Sequence, residues 1–193
     1  MPGAHQGFLQ LYAQMLFIFA GYAGATLVAK WASDETEGRL EMLLGTPLSR
    51  SRWAIGGGLG AIAAVVIMTA GLALGIGLGA ASAGIETGGA MTGTVVLGLY
   101  AAALVGIGFA VGGIWRTSLA AEVTAVVVTA TFLVDLLAPP LRLPDWFHQL
   151  ALTAHMGKPM LGDWDPVGIV ACLVLALGGV LVGAWGMRRR DIA

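Results

Sequence analysis

Lys30-Trp31-Ala32-Ser33-Asp34-Glu35-Thr36-Glu37-Gly38-Arg39-Leu40-Glu41-Met42-Leu43-Leu44-Gly45-Thr46-Pro47-Leu48-Ser49-Arg50-Ser51-Arg52-Trp53 carries eight of the chain's charges and separates two long apolar runs, residues 8–29 and 53–80. A helix needs about 20 predominantly apolar residues to cross a bilayer, and both runs supply them. Three more follow at residues 91–114, 119–138 and 166–187. None alternates with the period of two that a barrel strand requires. The pattern predicts an all-α integral membrane protein of five transmembrane helices, organised as a single membrane domain over residues 1–193.

Composition points the same way. The chain is 58% hydrophobic and only 11% charged, with a mean hydropathy of +0.85; soluble domains carry about 25% charged residues. A net charge of -1 argues against nucleic acid as a partner, because phosphate binding needs a basic face. The single cysteine, Cys172, sits inside an apolar run, so neither a disulfide framework nor a zinc pattern is expected. The opening Met1-Pro2-Gly3-Ala4-His5-Gln6 lacks the basic start of a cleaved signal peptide.

Basic residues orient the spans. Alternating the faces puts Lys30, Arg39, Arg50, Arg52, Arg116, Arg188, Arg189 and Arg190 on one side, with only Arg142 and Lys158 on the other. Because Lys and Arg concentrate on the cytoplasmic side, the charged insert, the Trp115-Arg116-Thr117-Ser118 turn and the tail are expected inside. Residues 139–165 are expected outside.

Within the insert, Ser33 is placed to cap a helix, with Asp34, Glu35 and Glu37 near the positive end of its dipole. Glu35 and Arg39 are spaced i, i+4 in the favourable order, worth about 0.2–0.5 kcal/mol. Leu40, Leu43 and Leu44 form an apolar stripe, Glu41 lies largely off it, and Pro47 ends the helix. An interfacial helix facing lipid would carry Lys and Arg on its polar face. This face is acidic, which favours docking on a protein partner.

The run from Asp34 to Arg50 resembles the coupling-helix signature of type-2 ATP-binding-cassette exporter permeases: an acidic run, a glycine, Leu-Glu-x-Leu-Leu and a Pro-Leu-Ser-Arg turn. The tail Trp185-Gly186-Met187-Arg188-Arg189-Arg190-Asp191-Ile192 and the long outer loop before the last span are similar too. The overall pattern looks most like the actinobacterial polyketide-antibiotic exporter permeases. The resemblance implies ATPase-coupling roles for Asp34, Glu35, Glu37, Gly38, Arg39, Leu40, Glu41, Leu43, Leu44 and Pro47. It further implies a separate ATPase subunit, a second permease copy or half, and hydrophobic substrates such as antibiotics, drugs or lipids. The expected location is a bacterial plasma membrane, multi-pass, with the C-terminus cytoplasmic. Such permeases have six spans, so the resemblance implies a C-terminal part that lacks the first span. The alternative is a non-transporting scaffold or a truncated remnant.

No residue pattern suggests chemistry by the chain itself. The glycine run Gly56-Gly57-Gly58-Leu59-Gly60 follows no strand, and no phosphate-loop motif occurs. No cofactor, metal or catalytic residue is therefore expected, and the chain is not read as an enzyme. Gly71, Gly75 and Gly79, and likewise Gly108 and Gly112, have the small-xxx-small spacing that lets membrane helices pack closely. Glu122 and Asp135 lie near span ends and read as interfacial. Residues 144–156 read as an outer amphipathic helix with Trp146 and Phe147 at the membrane surface. His148 and His155 would share a face there near Asp145, too few ligands for a metal.

Overall fold

The computed structural model describes residues 2–37, 49–84, 87–141, 144, 146, 149, 151–158 and 163–190. Five helices dominate: α1 (Pro2–Thr36), α2 (Arg50–Ser82), α3 (Gly88–Ile114), α4 (Thr117–Leu141) and α5 (Pro166–Arg190). Each contains a stretch long and apolar enough to cross a membrane. The α-helical membrane architecture expected from hydropathy is thus the observed one. Among the described residues it is joined by a short antiparallel pair of two-residue strands, β1 (Gly157–Lys158) with β2 (Asp163–Trp164), in the register Gly157↔Trp164.

Local chemistry sets the boundaries. Ser49 caps α2 by accepting from the Arg52 N–H at 3.4 Å. Asp165 caps α5, its Oδ1 accepting from the Val167 N–H at 2.9 Å, and Pro166 follows at the first helical position, where a missing N–H costs nothing. Between α3 and α4 only Trp115 and Arg116 turn the chain, which forces the two helices antiparallel.

Helix α3 is the hub. Sixty-seven per cent of its span is buried, against 17% for α2, as a helix apolar on all sides should be. Helix α5 lies closest to it, because glycines remove the side chains between the two backbones. A Cβ on Gly106 would run into the Leu175 carbonyl, and one on Gly113 into the backbone of Gly183. From the other side, Gly179 meets Gly106, Gly183 meets Phe109, and Gly186 meets Gly113. Helix α2 also packs on α3 and α5, whereas α1 packs on α3 and α4.

Lys30, Arg50, Arg52, Arg116, Arg188 and Arg189 all fall at one end of the bundle, because α1, α3 and α5 finish there and α2 and α4 begin there. It is called the basic end below.

Two sequence expectations change. Ser33 starts no new helix: α1 continues to Thr36, and the Ser33 hydroxyl donates to the Lys30 carbonyl at 2.8 Å. No glycine or proline interrupts residues 25–37, so helix propagation carries past the charged residues. Asp34 and Glu35 consequently lie in the last turn of α1, at the negative end of its dipole, and not at the start of a fresh helix. In the outer segment, residues 152–155 form a 3-10 turn instead of continuing an α-helix, and Gly157 then reverses the chain with φ of 70°; Trp146 is helical, and residues 145, 147, 148 and 150 lie outside the described residues.

Candidate functional site

The described ends of the charged insert form a stem. The Glu35 carboxylate in the last turn of α1 reaches the Arg50 guanidinium in the first turn of α2 at 3.7 Å. Gly38, Arg39, Leu40, Glu41, Leu43, Leu44 and Pro47 lie outside the described residues, so the expected Glu35–Arg39 pair does too. Asp34 and Glu37 belong to the described end of α1. Arg50 is 37% exposed and Glu35 27%, and ion pairs so open to solvent contribute about 0–1 kcal/mol. Arg50→Ala should therefore destabilise the folded chain by no more than about 1 kcal/mol. The charge swap Glu35→Arg with Arg50→Glu should recover that loss in a thermal-unfolding assay. A loss several times larger would mean that the pair carries more than a screened stem contact.

Beneath the stem lies an aromatic node. The Trp31 ring stacks on Trp53, with centroids 4.9 Å apart at 23°, and on Phe109, 4.0 Å apart at 29°. Trp31 is buried, and among the described residues its indole Nε1 has no hydrogen-bond partner. Gly57 and Gly112 make room for the ring, since a Cβ on either would press into it. The same cluster takes in Ala120 of α4 and Val180, Ala184 and Met187 of α5. All five helices therefore contribute to the cluster that contains the node. Sequence reading missed this node, although two tryptophans flanking a charged segment were a usable signal for the interfacial level. Nearby, the Arg189 guanidinium lies 3.7 Å over the Trp185 ring, a cation–π contact.

The remaining sequence candidates are dispersed. A Cβ on Gly108 would press against Thr124 and Val28, so α1, α3 and α4 crowd there. Gly71, Gly75 and Gly79 face open space: among the described residues, a Cβ on any of them meets nothing within 4 Å. Glu122 is exposed in α4. At the end opposite the basic one, Asp135 accepts a short hydrogen bond from the Thr153 hydroxyl. Beside it a void of about 10 Å³, lined in part by Phe17, Tyr100, Thr131 and Asp135, is about large enough for one water. The His155 ring turns onto its own loop, with Nδ1 3.3 Å from the Ala151 carbonyl oxygen, and His148 lies outside the described residues. Among the described residues no three His, Cys, Asp or Glu side chains converge as a metal site would require.

Five membrane-length helices around a glycine-packed hub, with an aromatic node at the basic end, define a polytopic α-helical membrane protein. The family model of the C-terminal domain of the multidrug efflux system permease Rv1217c matches residues 2–188. The chain belongs to this family and is a transmembrane permease domain. No curated protein and no solved structure matches it.

Proposed function

We propose that the domain is part of the membrane-spanning subunit of an ATP-binding-cassette exporter that moves hydrophobic substrates such as drugs, antibiotics or lipids out of the cell. A separate ATPase subunit supplies the energy, and a second permease copy or half completes the pathway. Further membrane-spanning segment, as the resemblance implies, completes the unit. The basic end faces the cytoplasm, in line with the concentration of Lys and Arg there.

The observation that supports this reading best is the single buried cluster of residues from all five helices that holds the stacked Trp31, Trp53 and Phe109 next to the Glu35–Arg50 stem. In the proposed cycle the acidic and leucine faces of residues 34–47 dock on the ATPase. Movement of that docked segment pulls on the Glu35–Arg50 stem, and packed aromatic rings, which cannot absorb a displacement by compressing, pass it on as a rigid-body shift of the spans. The substrate passes between facing permease helices, and no group of this chain takes part in covalent chemistry.

Glu41→Lys with Leu44→Asp should uncouple the two subunits. Membrane insertion and thermal stability are expected to stay unchanged, while drug-stimulated ATP hydrolysis by the assembled transporter falls to its unstimulated level. Wild-type stimulation in this double variant would reject the docking role.

A further inference from the structure

Helices α4 and α5 both pack on the hub helix α3 but hardly touch each other, since α4 closes on α1 and α5 on α2. The furrow between them leaves one strip of α3 uncovered. Ile107, Val111 and Ile114, spaced as one helical stripe, are partly or largely exposed, while Gly108, Phe109 and Gly112 are buried. Two arginines border the furrow at the basic end. Gly186 of α5 lies against Gly113 of α3, and Arg189 and Arg116 each follow their glycine by three residues, so both stand just beyond the same contact. Arg189 continues the exposed stripe of Val182 and Trp185, and its guanidinium lies 3.7 Å over the Trp185 ring. On the facing edge, α4 turns Val128 and Thr129 to α1 and exposes Leu119 on its other side, next to the exposed Arg116. Among the described residues no carboxylate pairs with either arginine.

We propose that this furrow holds one anionic phospholipid, its phosphate between Arg116 and Arg189 and one acyl chain along the Ile107, Val111 and Ile114 strip of α3. Charge selects the headgroup. A guanidinium presents its N–H donors in one plane and matches phosphate oxygens in pairs, and two of them without a carboxylate call for an anion. The Trp185 ring holds one guanidinium by its face, which leaves the N–H edge to the ligand. Level selects a lipid over a free ion. Trp115 and Trp185 are exposed beside the two arginines, as side chains at a membrane–water interface are, and the apolar strip runs from there toward the bilayer centre. The site rests only on the membrane location of the chain and not on the transport reading above.

Arg188 makes the test selective. It is exposed, as Arg189 is, but it continues the stripe of Val180 and Ala184, and Val180 meets Gly58 of α2. Arg188 therefore stands on the side of α5 away from the furrow. A general attraction of basic residues for anionic lipid would treat the two arginines alike. The full chain in detergent is titrated with dioleoyl phosphatidylglycerol and, separately, dioleoyl phosphatidylcholine, and bound lipid is counted by native mass spectrometry. Wild type and Arg188→Gln should each retain one phosphatidylglycerol in preference to phosphatidylcholine. Arg116→Gln and Arg189→Gln should each weaken that retention about five-fold, the scale of one basic residue against an anionic membrane lipid. Inorganic phosphate and chain-free glycerophosphoglycerol should displace nothing. Equal losses in all three variants, equal retention of the two lipids, or displacement by inorganic phosphate would overturn the assignment. So would a wild-type dimer without bound lipid, which would make the strip an interface between copies of the chain.

Discussion

Gly113→Ala is expected to be among the most damaging single-methyl changes in this chain. The added Cβ would fall onto the backbone of Gly183, and backbone cannot swing aside as a flexible side chain does. The two helices must separate along the contact that Gly106, Gly113, Gly179, Gly183 and Gly186 create. Overpacking of a tight core costs about 1–3 kcal/mol, and here the strain falls on the hub helix. The matched control is Gly75→Ala, where the new methyl meets open space. In a helix interior alanine is favoured over glycine by roughly 0.5–1 kcal/mol, so this variant should be as stable as wild type or slightly more so. Thermal unfolding in detergent, followed by loss of monodisperse protein, compares the two. Equal melting temperatures for both variants would contradict the packing assignment.

The second large effect is expected at Trp31. The side chain is 5% exposed and is stacked on two rings from two other helices. Trp31→Ala should destabilise the chain by about 3–5 kcal/mol, the usual cost of deleting a buried large aromatic residue. Trp31→Phe is the informative companion. It keeps an aromatic surface but removes a buried indole N–H that has no partner among the described residues, a group that costs about 1–3 kcal/mol when left unsatisfied. The phenylalanine variant should therefore lose far less stability than its smaller volume implies. If both variants unfold alike, the indole N–H is not left unsatisfied in the folded protein.

These two sites mark how far the sequence could be read. The five spans were legible because apolar runs of bilayer length leave few alternatives, and the Asp165-Pro166 start of α5 carries its own signal. Partner choice between helices was not legible. Gly71, Gly75 and Gly79 have the same spacing as glycines that do pack, but spacing does not say which face of α2 turns inward. The contact between α3 and α5 uses Gly106 and Gly113 on one helix with Gly179, Gly183 and Gly186 on the other, and only the assembled bundle brings them into register. Ser33 looked like a cap because serine precedes acids there. Local capping chemistry lost to uninterrupted helix propagation from Ala25 onward. The aromatic node escaped because Trp31, Trp53 and Phe109 are distant in sequence and meet only when three helices close on one another.

ATP-dependent uptake into inside-out membrane vesicles tests the transport account most directly. The proposed transporter, this domain assembled with its partner permease and ATPase, should concentrate a fluorescent hydrophobic drug in the vesicle lumen when hydrolysable ATP is supplied. A non-hydrolysable analogue should give no accumulation, and neither should the Glu41→Lys, Leu44→Asp variant. Accumulation that proceeds without ATP hydrolysis, or that survives the double substitution in the insert, would contradict an ATP-driven permease coupled through residues 34–47.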